Sequence, residues 1–349
     1  MNEYFDAVAD LPLVVESVEW ERRDRDTSSG FVRTTTTFHL SGTGHTGRGE
    51  DVTYDTEDHD ALAGATFDLA GEYTVASFSA RLDDTDLFPT KPPERETGRA
   101  YRRWAVESAA LDLALRQNGL SLAEAVGRDP DPVRFVASMR LGEPPTTERL
   151  DAVLDAYPDT EFKLDPTPAW DDDLIDAVAA TDAVRILDLK GLYEGTRVDF
   201  DPDPELYDRL LSAFPGAVVE DPGLTPETRP RFDGEEARVS WDYPITGVAS
   251  VEDLPFEPAW LNVKPSRFGT VESLFETVEW AEARGVALYG GGQFELGVGR
   301  DHIQLLASLF YPQGPNDVAP GGYNDPDVPT DLATSPLAAP TNTTGLAWE

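Results

Sequence analysis

Lysine is scarce in this chain. Four lysines, Lys91, Lys163, Lys190 and Lys264, stand against twenty-four arginines in 349 residues. Three of the four lie in short β-like runs, EFKLD, RILDLKG and WLNVKP, each bounded by a polar or Pro-rich turn. A residue purged from the surface but kept at three recurrent positions is kept for its amine. Carboxylates accompany these amines: Asp165, Asp188 and Glu220 fall at or just after the ends of the same or similar runs. Side chains two apart on a strand face the same way, so Lys163 goes with Asp165 and Asp188 with Lys190. The formal charges of these three acids and three lysines balance without any ion. Taken singly, each carboxylate is also readable as an ordinary loop charge, because the chain carries 66 acids; the lysines are too few for that reading.

The elements that position these groups alternate along the chain. Strand-like segments are expected at 133–139, 161–164, 184–189, 217–220, 243–249, 260–264 and 286–290. Helical patterns such as TERLDAVLDAY, PELYDRLLSAF and TVESLFETVEWAEARG lie between them. Strand and helix in alternation mean parallel pairing, and seven repeats in so short a stretch fit a closed barrel better than a doubly wound sheet. In such a barrel the reactive groups sit where strands end. Ahead of it, residues 12–80 read as a small α+β unit, and RAYRRWAVESAALDLALRQNG as a long helix stopped by Gly119. The expected fold is α/β, a (β/α)7β TIM-like barrel with an N-terminal α+β capping domain. The boundaries fall at 1–132 for the cap, 133–319 for the barrel and 320–349 for an irregular tail packing back toward the cap.

Composition narrows the partners. A net charge of −38 spread along the chain and a pI near 4.2 suggest halophilic adaptation, in which surface carboxylates hold water and cations and salt screens self-repulsion. The aromatic content argues against disorder. Such a field repels nucleic acid and anionic membrane, so the expected partner is a small carboxylate held in a local positive pocket. A homo-oligomer is compatible with the sequence. There is no cysteine, which excludes thiolate chemistry. With no long apolar run and no signal-like start, the expected location is cytoplasmic.

Three segments together resemble the enolase superfamily, in the branch of muconate-lactonizing enzymes. AVESAALDLALRQNGLSLAEAVG is similar to the helix that closes that family's capping domain. LNVKPSRFGTVESL is similar to its sixth-strand lysine motif, and GGGQFELGVGR to its late Gly-rich segment. The resemblance implies removal of the proton α to a carboxylate, with Mg²⁺ held by three strand-end carboxylates to stabilise the enediolate while a lysine takes the proton. It implies Lys264 as base, Asp188 and Glu220 as metal ligands, and Lys163 as the first lysine of a second-strand pair. Lys190 would help stabilise the enolate, and Asp165 or Glu295 would serve as acid. Gln293, Glu295, Arg267 and Arg300 are the expected substrate contacts. The segment GGGQ before FELGVGR would either cradle an anion or form a tight turn. No strand-end histidine marks the dyad of mandelate racemase relatives.

Three departures from the family pattern bear on that chemistry. The third metal ligand is missing, with Val248 at its expected place in YPITGVASVEDL. Asp165 stands where a second lysine is expected, and Lys190 where an asparagine is. Either Lys190 replaces the metal in a lysine and carboxylate network, or Asp165 rotates in as a substitute ligand and Mg²⁺ still binds. Loss of the second lysine favours elimination or cycloisomerisation over two-base racemisation. The alternative function is a catalytically lapsed barrel that binds an anionic metabolite.

Overall fold

The computed structural model describes residues 2–193, 200–341 and 343–348. Its N-terminal part is built on a three-stranded antiparallel sheet of β2 (Ser17–Asp26), β3 (Val32–Gly42) and β4 (His45–Asp51), with β1 (Pro12–Val15) paired to β5 (Gly71–Thr74). The helix Thr97–Gln117 lies across this sheet and buries Trp104, Leu111 and Leu115. Close approach of helix and strand explains two glycines of β4. A Cβ at Gly47 would lie 2.1 Å from the Ala109 carbonyl oxygen, and one at Gly49 1.9 Å from that of Ala105. Gly119, at φ +66°, ends the helix as its sequence suggests.

The second part is a seven-stranded parallel sheet in the order β12, β11, β10, β9, β8, β7, β6. These strands are β6 (Ala137–Met139), β7 (Phe162–Leu164), β8 (Val184–Asp188), β9 (Val218–Glu220), β10 (Val239–Trp241), β11 (Trp260–Val263) and β12 (Ala287–Gly290). Residues 316 and 317 take the eighth position. The Val136 amide donates to the Asn316 carbonyl at 2.8 Å and the Asp317 amide to Gly290 at 2.8 Å. The Asn316 side chain accepts from the Gly290 amide at 2.6 Å and donates to Arg134, Tyr311 and Gly314 carbonyls. One asparagine thus ties the two edges of the sheet together, and the TIM-like (β/α)7β architecture with its antiparallel cap is the observed fold.

The fifth strand requires a correction. The segment 243–249 is a turn followed by the helix Val248–Glu252, and the strand is β10, earlier in the chain. Asp221 causes the turn: its two carboxylate oxygens accept the Asp242 and Tyr243 amides at 2.9 and 2.8 Å, bending the chain before Pro244. The last residues run back over the molecule. Leu337 bridges to Val133 and Gly345 to Ser121, and the Leu346 amide donates to Asp112 on the long cap helix at 2.8 Å. Among the described residues no helix is long and apolar enough to cross a membrane.

Candidate active site at the barrel mouth

The register of neighbouring strands aligns the acids. Asp188 pairs with Glu220 across β8 and β9, and both are fully buried. Lys163, from β7, reaches across to them: its Nζ donates to Glu220 Oε1 and lies 3.2 Å from Asp188 Oδ2 and 3.9 Å from Asp317 Oδ2. Lys190 follows β8 with a left-handed φ of +54°. Its ammonium bonds Asp188 and stands 3.4 Å from Asp165, whose other oxygen accepts from Arg140 at 3.1 Å. The Lys163/Asp165 and Asp188/Lys190 pairs therefore share one side as their spacing suggests. Glu220 Oε2 accepts from Asn262 at 3.1 Å and from the Tyr289 hydroxyl, which in turn touches Ser240 at 2.9 Å.

Lys264 follows β11 and points at the end of β10. Its Nζ donates to Asp242 Oδ2 at 2.8 Å. Arg267, one turn further on, reaches the same oxygen at 3.3 Å and holds the Tyr193 hydroxyl and Tyr243 carbonyl at 3.1 Å each. Asp242, not Val248, is therefore the carboxylate at the end of the fifth strand. Val248 begins a helix beyond the turn, and the carboxylate missing from the misplaced strand stands at the end of the real one. Gly291 leaves room here, since a Cβ on it would lie 2.8 Å from Lys264 Cε and 2.4 Å from Asn262 Oδ1.

Burial sets the electrostatics. It opposes charge on every group, and proximity decides which keep it. Burial would raise Asp188, yet the ammoniums of Lys190 and Lys163 hold it well below the usual carboxylate range. Asp242 is likewise held low against burial by Arg267 and Lys264. Burial carries Glu220 up to about 8, despite Lys163, with Asp188 and Asp242 repelling its charge. Burial, then Asp242 and Asp188, carry Asp221 up to about 7. Lys264 is raised by Asp242 against its own burial.

The expected substrate contacts divide. Arg267 belongs to this mouth. Glu295, Gln293 and Arg300 lie where the cap meets the barrel: Glu295 accepts the Gln293 amide at 2.7 Å and stands 3.6 Å from Arg300, while Gln293 binds the cap hydroxyls of Tyr54 and Tyr101. The Gly-rich segment does bind a carboxylate at a helix start, and that carboxylate is the chain's own. Glu50 of β4 accepts the amides of Leu296, Gly297 and Gly299 at 2.6 to 3.1 Å.

Sequence reasoning missed Asp221, Asn262, Tyr289 and Asp317, and it placed Asp242 beside the fifth strand but out of register, because it set that strand at 243–249 instead of Val239–Trp241. The first was legible as the acid after Glu220 in VVEDP, and Asn262 as the residue two before Lys264.

Do these groups fit a metal? Asp188, Glu220 and Asp221 offer oxygens within 4.8 Å of one another, the one such acidic group among the described residues. Asp242 adds a buried oxygen, Oδ1, with no partner. An all-oxygen set suits a hard divalent cation such as Mg²⁺, so the residues fit. Asp165, engaged by Arg140 and Lys190, is not in that set.

Two comparisons of sequence place the chain among known proteins. The family described as "Domain of unknown function (DUF8230)" matches with its N-terminal domain over residues 6–125 and its C-terminal domain over 129–325. An N-succinylamino acid racemase from Thermus thermophilus is 27% identical over 241 residues, covering 64% of this chain and 60% of that protein. The chain thus spans less than two thirds of that relative's length. Among solved structures, muconate lactonizing enzyme from Pseudomonas putida superposes with a TM-score of 0.69 at 17% identity over 95% of this chain and 96% of that one. Muconate cycloisomerase from Pseudomonas fluorescens gives 0.65 at 19% identity over 88% and 87%. The fold is that of the enolase superfamily.

Proposed function

The chain belongs to the DUF8230 family, and on that footing we propose that it removes the proton α to the carboxylate of a small carboxylic acid. One observation carries this reading: a buried lysine, Lys264, stands on Asp242 at 2.8 Å beside the converging oxygens of Asp188, Glu220 and Asp221. An α-carboxylate proton is too weakly acidic for an amine alone, so the charge that develops on the substrate needs partners already in place. The ammoniums of buried Lys163 and part-exposed Lys190 supply them from one side, and Arg267, with an unpartnered Nε, receives the substrate carboxylate. Lys264 takes the proton.

Asp188, Glu220, Asp221 and Asp242 would hold a divalent cation, which when bound supplies further positive charge to the substrate's carboxylate oxygens. Lys163 and Lys190 occupy the same oxygens of Asp188 and Glu220 that such a cation would use. Their presence on those acids supports the reading in which Lys190 competes with the ion for Asp188. Reaction type follows from what protonates the product: Asp165, with Lys190 beside it, supports elimination or cycloisomerisation. The likeness to a racemase keeps proton exchange at one carbon as the second reading.

The test is solvent exchange. Proton NMR in D2O, run on a panel of carboxylic acids with magnesium present, should show loss of an α-proton signal with the protein and none with Lys264→Ala. Tight binding without exchange would instead support a lapsed barrel that binds an anionic metabolite.

A further inference from the structure

One side chain is tied to the base without being an acid or an amine. Tyr193 follows β8 in a tight turn: its amide donates to the Lys190 carbonyl at 3.1 Å, and the Gly191 amide to the Asp221 carbonyl at 2.9 Å. Gly191 lets this turn close on its neighbour, since a Cβ there would lie 2.1 Å from the Gly223 amide nitrogen. The Tyr193 ring packs against Tyr243, with centroids 4.5 Å apart and planes at 49°, and the Lys190 ammonium stands 5.2 Å from its centre. Backbone and ring together fix where the phenol oxygen lies.

That oxygen meets the partner of the base. The Tyr193 hydroxyl lies 3.0 Å from Asp242 Oδ2 and 3.1 Å from Arg267 Nη2. A guanidinium only donates, so the hydroxyl accepts from Arg267 and gives its own proton to Asp242. Asp242 Oδ2 therefore takes three donors, Lys264 at 2.8 Å, Tyr193 at 3.0 Å and Arg267 at 3.3 Å, whereas Oδ1 takes none. The three differ in stiffness. Lys264 is an ammonium on a flexible stem, and a carboxylate turns about a broad terminal torsion, so their ion pair alone does not fix the carboxylate plane. Arg267 has the longest contact and a substrate carboxylate to receive. The phenol, carried on a docked turn and with few torsions of its own, is the rigid donor of the set.

We infer that Tyr193 is a positioning residue for proton removal: its hydroxyl pins the Asp242 carboxylate, and through it holds the Lys264 amine where the proton is taken. The inference rests on the proposed proton abstraction and adds the group that keeps the base in place. Tyr193 also joins the two halves of the mouth, because the Lys190 ammonium beside its ring bonds Asp188.

The experiment compares wild type with Tyr193→Phe, which keeps the ring on Tyr243 and removes only the hydroxyl, and with Tyr193→Leu, which removes both. Exchange in D2O gives kcat and KM for a carboxylic acid that wild type uses. Crystal structures of wild type and Tyr193→Phe give the places of Asp242 and Lys264. In the expected result Tyr193→Phe lowers kcat by about tenfold or more while KM stays within about threefold, because a displaced base reacts poorly although substrate still binds. Its crystal structure shows the Asp242 carboxylate turned and Lys264 Nζ moved off Oδ2, and Tyr193→Leu is at least as slow. Unchanged kcat in Tyr193→Phe with a loss only in Tyr193→Leu, or an effect confined to KM, overturns the inference while proton abstraction stands. Superimposable Asp242 and Lys264 side chains overturn it whatever the rates. If wild type exchanges nothing, proton abstraction fails, and the crystal structures still decide: a turned Asp242 with a displaced Lys264 supports the pinning by Tyr193, and unmoved side chains overturn it.

Discussion

Lys264 Nζ donates to Asp242 Oδ2 at 2.8 Å, joining the ends of two neighbouring barrel strands through one buried ion pair. The pair keeps the amine protonated at rest, because Asp242 raises it against burial. A base that must first lose its proton works better as pH rises. The rate of α-proton exchange should therefore climb with pH across the alkaline range, up to the limit of the fold. A rate that falls from pH 7 to pH 9 in a folded sample contradicts Lys264 as the proton acceptor.

Lys190 bonds Asp188, one of the three clustered acids that would hold a divalent cation. Removing its charge by Lys190→Met should tighten Mg²⁺ or Mn²⁺ binding by about tenfold, roughly 1.4 kcal/mol, read by calorimetry. Glu220→Gln should weaken it. A wild type that binds no divalent ion at millimolar magnesium, with Lys190→Met also blank, would mean that the lysines have replaced the ion.

Glu50 of the cap accepts three amides at the start of the helix Val298–Phe310 and is fully buried. Glu50→Gln turns one of its oxygens into a donor facing other donors, so it should cost about 2 kcal/mol of unfolding free energy. Denaturant unfolding reads this directly. No change would mean that the contact adds nothing to cap docking.

His302 is buried with Nδ1 unpartnered, and burial lowers it from 6.5 to about 4. Its neutral form is therefore favoured by folding. That stability is full above about pH 6.5 and is lost as pH falls toward 4, because the unfolded chain binds the proton first. The difference in unfolding free energy between wild type and His302→Leu should change over that window by about 3 kcal/mol. Asp112, Arg48 and Arg116 are its charged neighbours, and a flat difference curve would show that they compensate.

The barrel rhythm was legible in the sequence because its strands and helices carry their own periods, with a glycine stop at Gly285 for the helix Val271–Arg284. The amines and the first two acids were legible for the same reason. Asp242 was not. YPITGVA has the apolar, β-branched look of a strand, whereas VSW is only three residues long, and the bend between them is set by a distant carboxylate, Asp221. Asp317 follows YPQGPN, which reads as a loop, and it becomes a barrel residue only through tertiary bonds, its own amide to the Gly290 carbonyl and those of the Asn316 side chain. Glu50 gave no local signal, since its partners lie about 250 residues away. Patterns of period two and 3.6 report local elements; contacts between distant elements leave no such period.

The account turns on Lys264 as the group that takes the α-proton. The measurement that reads this most directly is deuterium incorporation from D2O into a panel of small carboxylic acids, followed by proton NMR in parallel on wild type and Lys264→Ala, with circular dichroism confirming that both are folded. The account predicts α-proton loss in wild type and at least a thousandfold slower loss in the variant. Equal exchange in the two proteins, or none in wild type with magnesium present across the panel, would contradict it.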